Sequence, residues 1–245
     1  MHGFRKSVLK KHETELSDGY NKKAMTSFRE ITCTCPLCAQ TFSAFALSTA
    51  SSGRTFDLDF RPHGPQRAAI GAGLFPCPEC GYVMRNKDHR ITDPQLQKRL
   101  QQMIRSEDYM HPLLGTIEGR GKACMQRAYI EDLIHPGNGY EYYLQAVWAA
   151  DDADGQKSAA ALRELALLSL ARKQTLSEEE ELIRIDLLRR TGQFEEARAH
   201  CRKEGKSPLF SLIAAVQMRL LEKKDESCHA FAETDAELTE KNLSL

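Results

Sequence analysis

The chain has 245 residues and balances 34 basic against 34 acidic side chains, which excludes a protein that works by coating nucleic acid or an anionic membrane with bulk charge. No apolar run approaches the ~18 residues that cross a bilayer, and behind the basic N-terminus only Val8-Leu9 stands where a secretory signal needs a longer apolar stretch. The expected setting is cytoplasmic, where eight cysteines read as metal ligands and free thiols rather than as a disulfide framework.

Residues 1–27 read as a flexible basic arm, with helical character confined to Lys6–Leu16. Structure is expected from Phe28, where Phe28–Cys33 reads as a strand entering Cys35-Pro36-Leu37-Cys38. A second pair, Cys77-Pro78-Glu79-Cys80-Gly81-Tyr82, follows after 38 intervening residues. Each pair sets two sulfurs on one turn, and two such knuckles supply the four tetrahedral thiolates that zinc binds at roughly 2.3 Å. Proline after each first cysteine stiffens the turn, and Gly81 permits the positive φ that exposes backbone N–H groups towards the sulfurs. Cys35, Cys38, Cys77 and Cys80 are therefore the candidate ligands of a structural Zn2+. An iron–sulfur cluster uses the same four thiolates, so spacing leaves zinc against iron open. Cys33 is a rival ligand, read here as a strand thiol facing away.

Between the knuckles the chain does not read as helix. Phe42, Phe45 and Leu47 precede a small polar run, Ser48–Gly53. Thr55–Phe60 then alternates as a strand, with Phe56, Leu58 and Phe60 on one face. Its other face carries Asp57 and Asp59, continued by Arg61, and together with Arg54 these form the most suggestive polar cluster; the plain reading is a solvated strand edge. A loop from Pro62 to Gly73 holds His63, a spare ligand for a site that four sulfurs already complete. Residues 28–90 thus read as a small zinc-ribbon-like β module whose folding zinc, at ~10–16 kcal/mol, would dominate.

Residues 91–224 read as helices. Asp93-Pro94 is a cap and first-turn proline, followed by Leu96, Leu100, Met103 and Ile104 on one stripe. His111-Pro112 and Gly115 break the chain. Helices are expected at 121–134, 140–151, 156–173, 178–190, 193–204 and 209–223, with Ser177 and Glu180 forming a capping box. Residues 225–245, six acids against one lysine, read as a frayed acidic tail. A faint repeat runs through the helices: Ala123, Ala160 and Ala197 are 37 residues apart, as are Gly155 and Gly192. Leu188–Ala197 resembles the turn and second-helix start of a tetratricopeptide repeat. The expected fold class is α+β, the zinc-ribbon-like module followed by an all-α tetratricopeptide-like helical-hairpin domain.

No phosphate-binding glycine loop, dinucleotide fingerprint, nucleophile elbow or HExxH motif is present, and no nucleophile–base pair can be assembled, so no enzyme is expected. Cys124, Cys201 and Cys228 read as small buried hydrophobes. His89 and His111 read as surface residues, and Cys228-His229 as an isolated pair. Basic residues Arg54, Arg61, Arg67, Arg85, Lys87 and Arg90 flank the knuckles and motivate an alternative, nucleic-acid binding through the zinc module. The preferred reading is a scaffold for an unidentified protein or peptide partner, with no membrane association.

The order CPxC, arginine, Asp-x-Asp, CPxCGY (here Cys35–Cys38, Arg54, Asp57-Leu58-Asp59 and Cys77–Tyr82) resembles a bacterial family known as domain of unknown function 2225. The resemblance implies a cysteine-rich module followed by tetratricopeptide-like helices in a bacterial cytosol, and implies no activity. One departure is the segment before the second knuckle, Gln66–Gly73, which is small and glycine-rich where an aromatic-rich stretch is expected.

Overall fold

A computed structural model describes residues 27–49, 55–110, 119–153, 155–203 and 207–231. Arg54, His111 and most of the basic arm and acidic tail lie outside the described residues. The architecture is α+β: two small antiparallel hairpins followed by a helical region.

Strands β1 (Ser27–Thr34) and β2 (Thr41–Thr49) pair antiparallel, with Cys33 opposite Phe42 and Thr34 opposite Thr41. Their connecting turn is the first knuckle. Strands β3 (Leu74–Pro76) and β4 (Val83–Arg85) pair in the same way around the second. The two turns share one backbone plan. Cys35 N–H donates to the Gln40 carbonyl at 2.8 Å and Ala39 N–H to the Cys35 carbonyl at 3.0 Å. Cys77 N–H donates to the Tyr82 carbonyl and Gly81 N–H to the Cys77 carbonyl, both at 2.9 Å. The residue after each second cysteine is left-handed: Gly81 at φ 77° and its counterpart Ala39 at φ 64°. The first knuckle thus holds an alanine where the turn favours glycine, and carries the strain of its Cβ.

The helices are α1 (Pro94–Met103), α2 (Glu107–Met110), α3 (Gly119–Ile134), α4 (Tyr140–Asp152), α5 (Gln156–Leu170), α6 (Glu178–Arg190), α7 (Phe194–Cys201) and α8 (Pro208–Glu222). Asp93 caps α1 by accepting from Gln95 N–H, and Ser177 with Glu180 closes the expected capping box on α6. From α3 to α8 each helix packs on the next, and α6 also packs on α8. Helix α3 lies across β3 and β4. One apolar core therefore combines Cys35, Cys77 and Val83 from the knuckles with Leu100, Tyr109, Ala123 and Ile130 from the helices. The Tyr109 hydroxyl donates to the Gly81 carbonyl at 2.8 Å, fastening the second knuckle to α2.

Among the described helices the matching ends of α4 with α6 and of α5 with α7 are spaced by 38 residues, not by the 37 of the alanines. Tyr140 and Glu178 start α4 and α6, Asp152 and Arg190 end them, and Gln156 and Phe194 start α5 and α7, each pair 38 residues apart. The caps agree: Gly155 has φ −83° and ψ 56°, Gln193 has φ −84° and ψ 56°, and their N–H groups donate to Ala150 and Leu188. Gly155 therefore corresponds to Gln193, not to Gly192, whose φ of 74° ends α6. The close-packing alanine is Ala159, fully buried like Ala197, while Ala160 faces outward. An Ala159-Ala160 doublet offered two registers, and only packing chooses between them.

The largest departure from the sequence reading is Thr55–Arg61. It is a tight turn rather than a strand. Asp57 N–H donates to the Arg61 carbonyl at 2.9 Å, Phe60 N–H to the Asp57 carbonyl at 2.8 Å, and Phe60 sits at φ 63°. Leu58 enters a core with Leu182, Ile185, Phe210 and Ile213 of α6 and α8. The start of the acidic tail is not frayed but pairs with this turn. Asp57 bridges Ala230, Leu58 N–H donates to the His229 carbonyl, and the Phe56 and Phe231 rings stack at 5.2 Å. After it, the loop expected to be irregular winds a 3-10 turn at Gly64–Ala69 with Pro65 in its first turn. Long-range packing, not alternation, decides this segment.

Candidate functional site

The two knuckle hairpins face each other tip to tip. The Sγ atoms of Cys35, Cys38, Cys77 and Cys80 all lie within 4.8 Å of one another. Cys35 to Cys80 and Cys38 to Cys77 are each 3.7 Å. Four sulfurs at ~2.3 Å from one central ion sit about 3.8 Å apart along each tetrahedron edge. A disulfide, at about 2.05 Å between sulfurs, does not describe these distances. The chain thus brings together a four-thiolate group that could bind a metal ion, and no other cluster of candidate ligands converges among the described residues. Cys35 and Cys77 are buried while Cys38 is exposed, so the group is open on one side.

Thiol chemistry fits a cation here. Burial pushes the Cys35 thiol up to about 11 and also raises that of Cys80. At Cys38 burial acts the same way but is outweighed by the Gln40 backbone N–H and the neighbouring sulfurs, which hold its thiol below the usual range. Buried thiols brought this close need a positive charge before they ionise together. Cys33 is buried in the adjoining core, outside the four-sulfur group. His63 is likewise elsewhere, its Nε2 on Asp57.

A second polar centre is built around the Asp57–Arg61 turn. Asp57, Asp59 and Arg61 were read as a solvated edge, yet all are at most 5% exposed. The turn seats them on two equivalent positions of the helical repeat: Trp148, Asp151 and Asp152 on α4 match Asp186, Arg189 and Arg190 on α6 at the 38-residue register. Asp59 Oδ2 accepts from Trp148 Nε1 at 2.7 Å and lies 3.6 Å from Arg190 Nη1. Arg61 pairs with Asp152, and Asp151 accepts from Arg163 at 2.6 Å and Arg190 at 2.9 Å. Burial, reinforced by the charge of Asp186, pushes the Asp59 carboxyl up to about 7 against the pull of Arg190. Cys228, expected to be buried, is exposed at the edge of this centre, with its Sγ 3.5 Å from Asp57 Oδ2. Cys124 is fully buried as expected, and Cys201 half-buried.

The sequence marks Asp57, Asp59 and Arg61 as a polar cluster and Cys228 as a small buried hydrophobe, but carries no sign that Asp151, Arg163 or Arg190 joins them. Each sits on a helix or tail with no local motif; the one available signal was the run of charges at the ends of α4 and α6. Among the six basic residues flanking the knuckles, Arg54 lies outside the described residues. Arg61 and Arg67 pair with Asp152, and Arg85 with Asp88 and Glu131. Only Lys87 and Arg90 stand exposed without an ion pair among the described residues.

Compared with known proteins, the chain matches no family model, and no curated protein or solved structure matches it at a significant level. No helix among the described residues is long and apolar enough to cross a membrane.

Proposed function

We propose that this chain is a non-enzymatic, zinc-stabilised scaffold whose helix hairpins bind a protein or peptide partner. The carrying observation is the single four-sulfur group, whose 3.7 Å edges suit one tetrahedral ion. A multi-iron cluster distributes its cysteines over separate iron atoms and needs them further apart, which favours a single ion, and Zn2+ is the one we propose. Held by Cys35, Cys38, Cys77 and Cys80, it would fasten two hairpins in a zinc-ribbon-like arrangement and take no part in a reaction. The α4–α5 and α6–α7 pairs, with matched caps and a close-packing alanine in each, support a tetratricopeptide-like array, an architecture suited to groove binding. The resemblance to domain of unknown function 2225 and its cytoplasmic setting belong to the same proposal, resting on the knuckles and Asp57-Leu58-Asp59.

The nucleic-acid alternative loses ground because Arg61, Arg67 and Arg85 already face carboxylates. Metal analysis of the purified full chain should find one zinc per molecule, lost in Cys38→Ser and Cys77→Ser. Crosslinking in the native cell should then capture a protein partner at α4–α8 that survives nuclease treatment. A metal-free folded chain would overturn the first part, and a partner lost on nuclease treatment the second.

A further inference from the structure

The polar centre opens into a cavity of about 830 Å³ bounded by the Asp57–Arg61 turn, α5, the ends of α4 and α6, and the 226–230 segment. It shares no lining residue with the cysteine group. Four arginines line it: Arg61, Arg67, Arg163 and Arg190. Three of these are less than one-tenth exposed.

Hydrogen-bond accounting within the cavity is one-sided. Among the described residues, the only buried side-chain nitrogen or oxygen atoms without a partner are Nε of Arg61, Arg163 and Arg190. Every hydrogen bond these three side chains make runs through Nη2, to Asp152 or Asp151. The four aspartates around these arginines, by contrast, are engaged. Asp151 takes Arg163 on both oxygens and Arg190 on one, and Asp152 takes Arg61 and Arg67. Asp59 takes Trp148 Nε1 and the Arg61 backbone N–H, and Asp57 takes His63 and Cys228. Buried donors without acceptors are costly, and natural interiors rarely keep three of them together. Glu226 adds a carboxylate to the lining, but the cavity residues do not converge as metal ligands.

We propose that this cavity is a binding site for a small organic oxyanion, a phosphate or carboxylate held by the guanidinium groups of Arg61, Arg163 and Arg190. Guanidinium groups recognise both headgroups through paired N–H donors, and binding inside a partly enclosed site strengthens the bonds. The cavity exceeds the size of a bare headgroup, so the ligand carries a body as well. Gln156 and Ser227 offer that body polar contacts. Phe60, held left-handed in the same turn, is the kind of local strain that persists where a surrounding structure has a geometry to maintain.

The test uses the full-length zinc-loaded protein with inorganic phosphate and succinate as probes, and chloride at matched ionic strength as control. Calorimetry should give one saturable site for at least one probe, and ~100-fold excess over Kd should raise the melting temperature by about 5 °C or more. Phosphate alone or succinate alone identifies the headgroup. Arg163→Gln should weaken binding about ten-fold or more, with Arg163→Lys intermediate because it keeps charge and loses the fork. Should Arg163→Gln fail to fold by circular dichroism, Arg67→Gln at the half-exposed rim takes its place, with an expected loss of about three-fold. Lys87→Ala should bind as wild type. The proposal is overturned if neither probe exceeds chloride, or if folded arginine variants bind as tightly as wild type.

Discussion

The cysteine knuckles and the Asp57–Arg61 turn lie in one stretch of chain, yet they are organised by opposite means. Each knuckle closes on itself: its hydrogen bonds run between residues four and five apart, and its sulfurs need only the matching turn. The Asp57–Arg61 turn also closes its own backbone, but those bonds do not supply the surroundings its buried charges need. It is held by Trp148, Asp152, Arg190, Phe210 and the 228–231 segment, all distant in sequence. A site built from local geometry announces itself as a motif; a site built from remote helices looks like ordinary surface until those helices are in place.

Metal removal should separate the two most sharply. Chelation, admitted by exposed Cys38, should strip the ~10–16 kcal/mol that such a site contributes and open both hairpins. In hydrogen exchange, Cys77 and Gly81 amides should then lose protection while Leu58, bonded to His229, keeps it. Equal loss at Leu58 would show the turn to depend on zinc after all, and the contrast would collapse.

The next largest effect should come from the helical side. Arg189 is fully buried, donating to Asp186, Gln217 and the Asp225 and Ser227 carbonyls. Arg189→Met leaves Asp186 buried with Gln217 but without its ion pair, and should cost about 3–5 kcal/mol in urea denaturation. It should also release the 225–231 segment from the turn, while zinc content stays unchanged.

The pH dependence follows from Asp59. Its folded carboxyl titrates near 7, raised by burial and then by Asp186, against about 3.9 in an unfolded chain. Between those values the folded state keeps a proton that the unfolded state has released. Raising the pH from about 4 to 7 should therefore cost stability, at no more than about 1.4 kcal/mol per pH unit, with no further change from this group outside the window. Asp59→Asn should remove that slope and still accept from Trp148; an unchanged slope would place the titration elsewhere.

The smallest effects test the knuckle turns. Gly81→Ala should cost about 1 kcal/mol although nothing obstructs the added Cβ, because φ alone opposes it. Ala39→Gly should be neutral or stabilising by up to about 1 kcal/mol, strain relief being partly offset by the freedom of glycine in the unfolded chain. Thermal melts of the zinc-loaded protein would read both, and a stabilising Gly81→Ala or a destabilising Ala39→Gly would contradict the equivalence of the two turns.

Helix boundaries were legible to within a few residues. Ser177 with Glu180 and Asp93 with Pro94 act through bonds inside one turn. The four cysteines were legible for the same reason. Thr55–Phe60 misled because alternation predicts a strand only where a neighbouring strand accepts it. Here Phe56 and Asp57 found only single bridges, and the turn folded into a helical core instead. The repeat misled by one residue because identity at Ala160 says nothing about which alanine faces the next helix.

What the sequence determined alone is the set of structures closed by short-range bonds: the capped helices, the two knuckles and the four cysteines they present. What only the tertiary structure decided is the company of the charges. Asp57, Asp59 and Arg61 are hydrophilic residues whose desolvation cost is met in large part by remote partners: Trp148 and Asp152 on α4 and Arg190 on α6, between about 90 and 130 positions away, and Cys228 farther still. No local pattern encodes such partners, because burial of an ion pair depends on the sum of the surrounding surfaces and not on any neighbour in the chain.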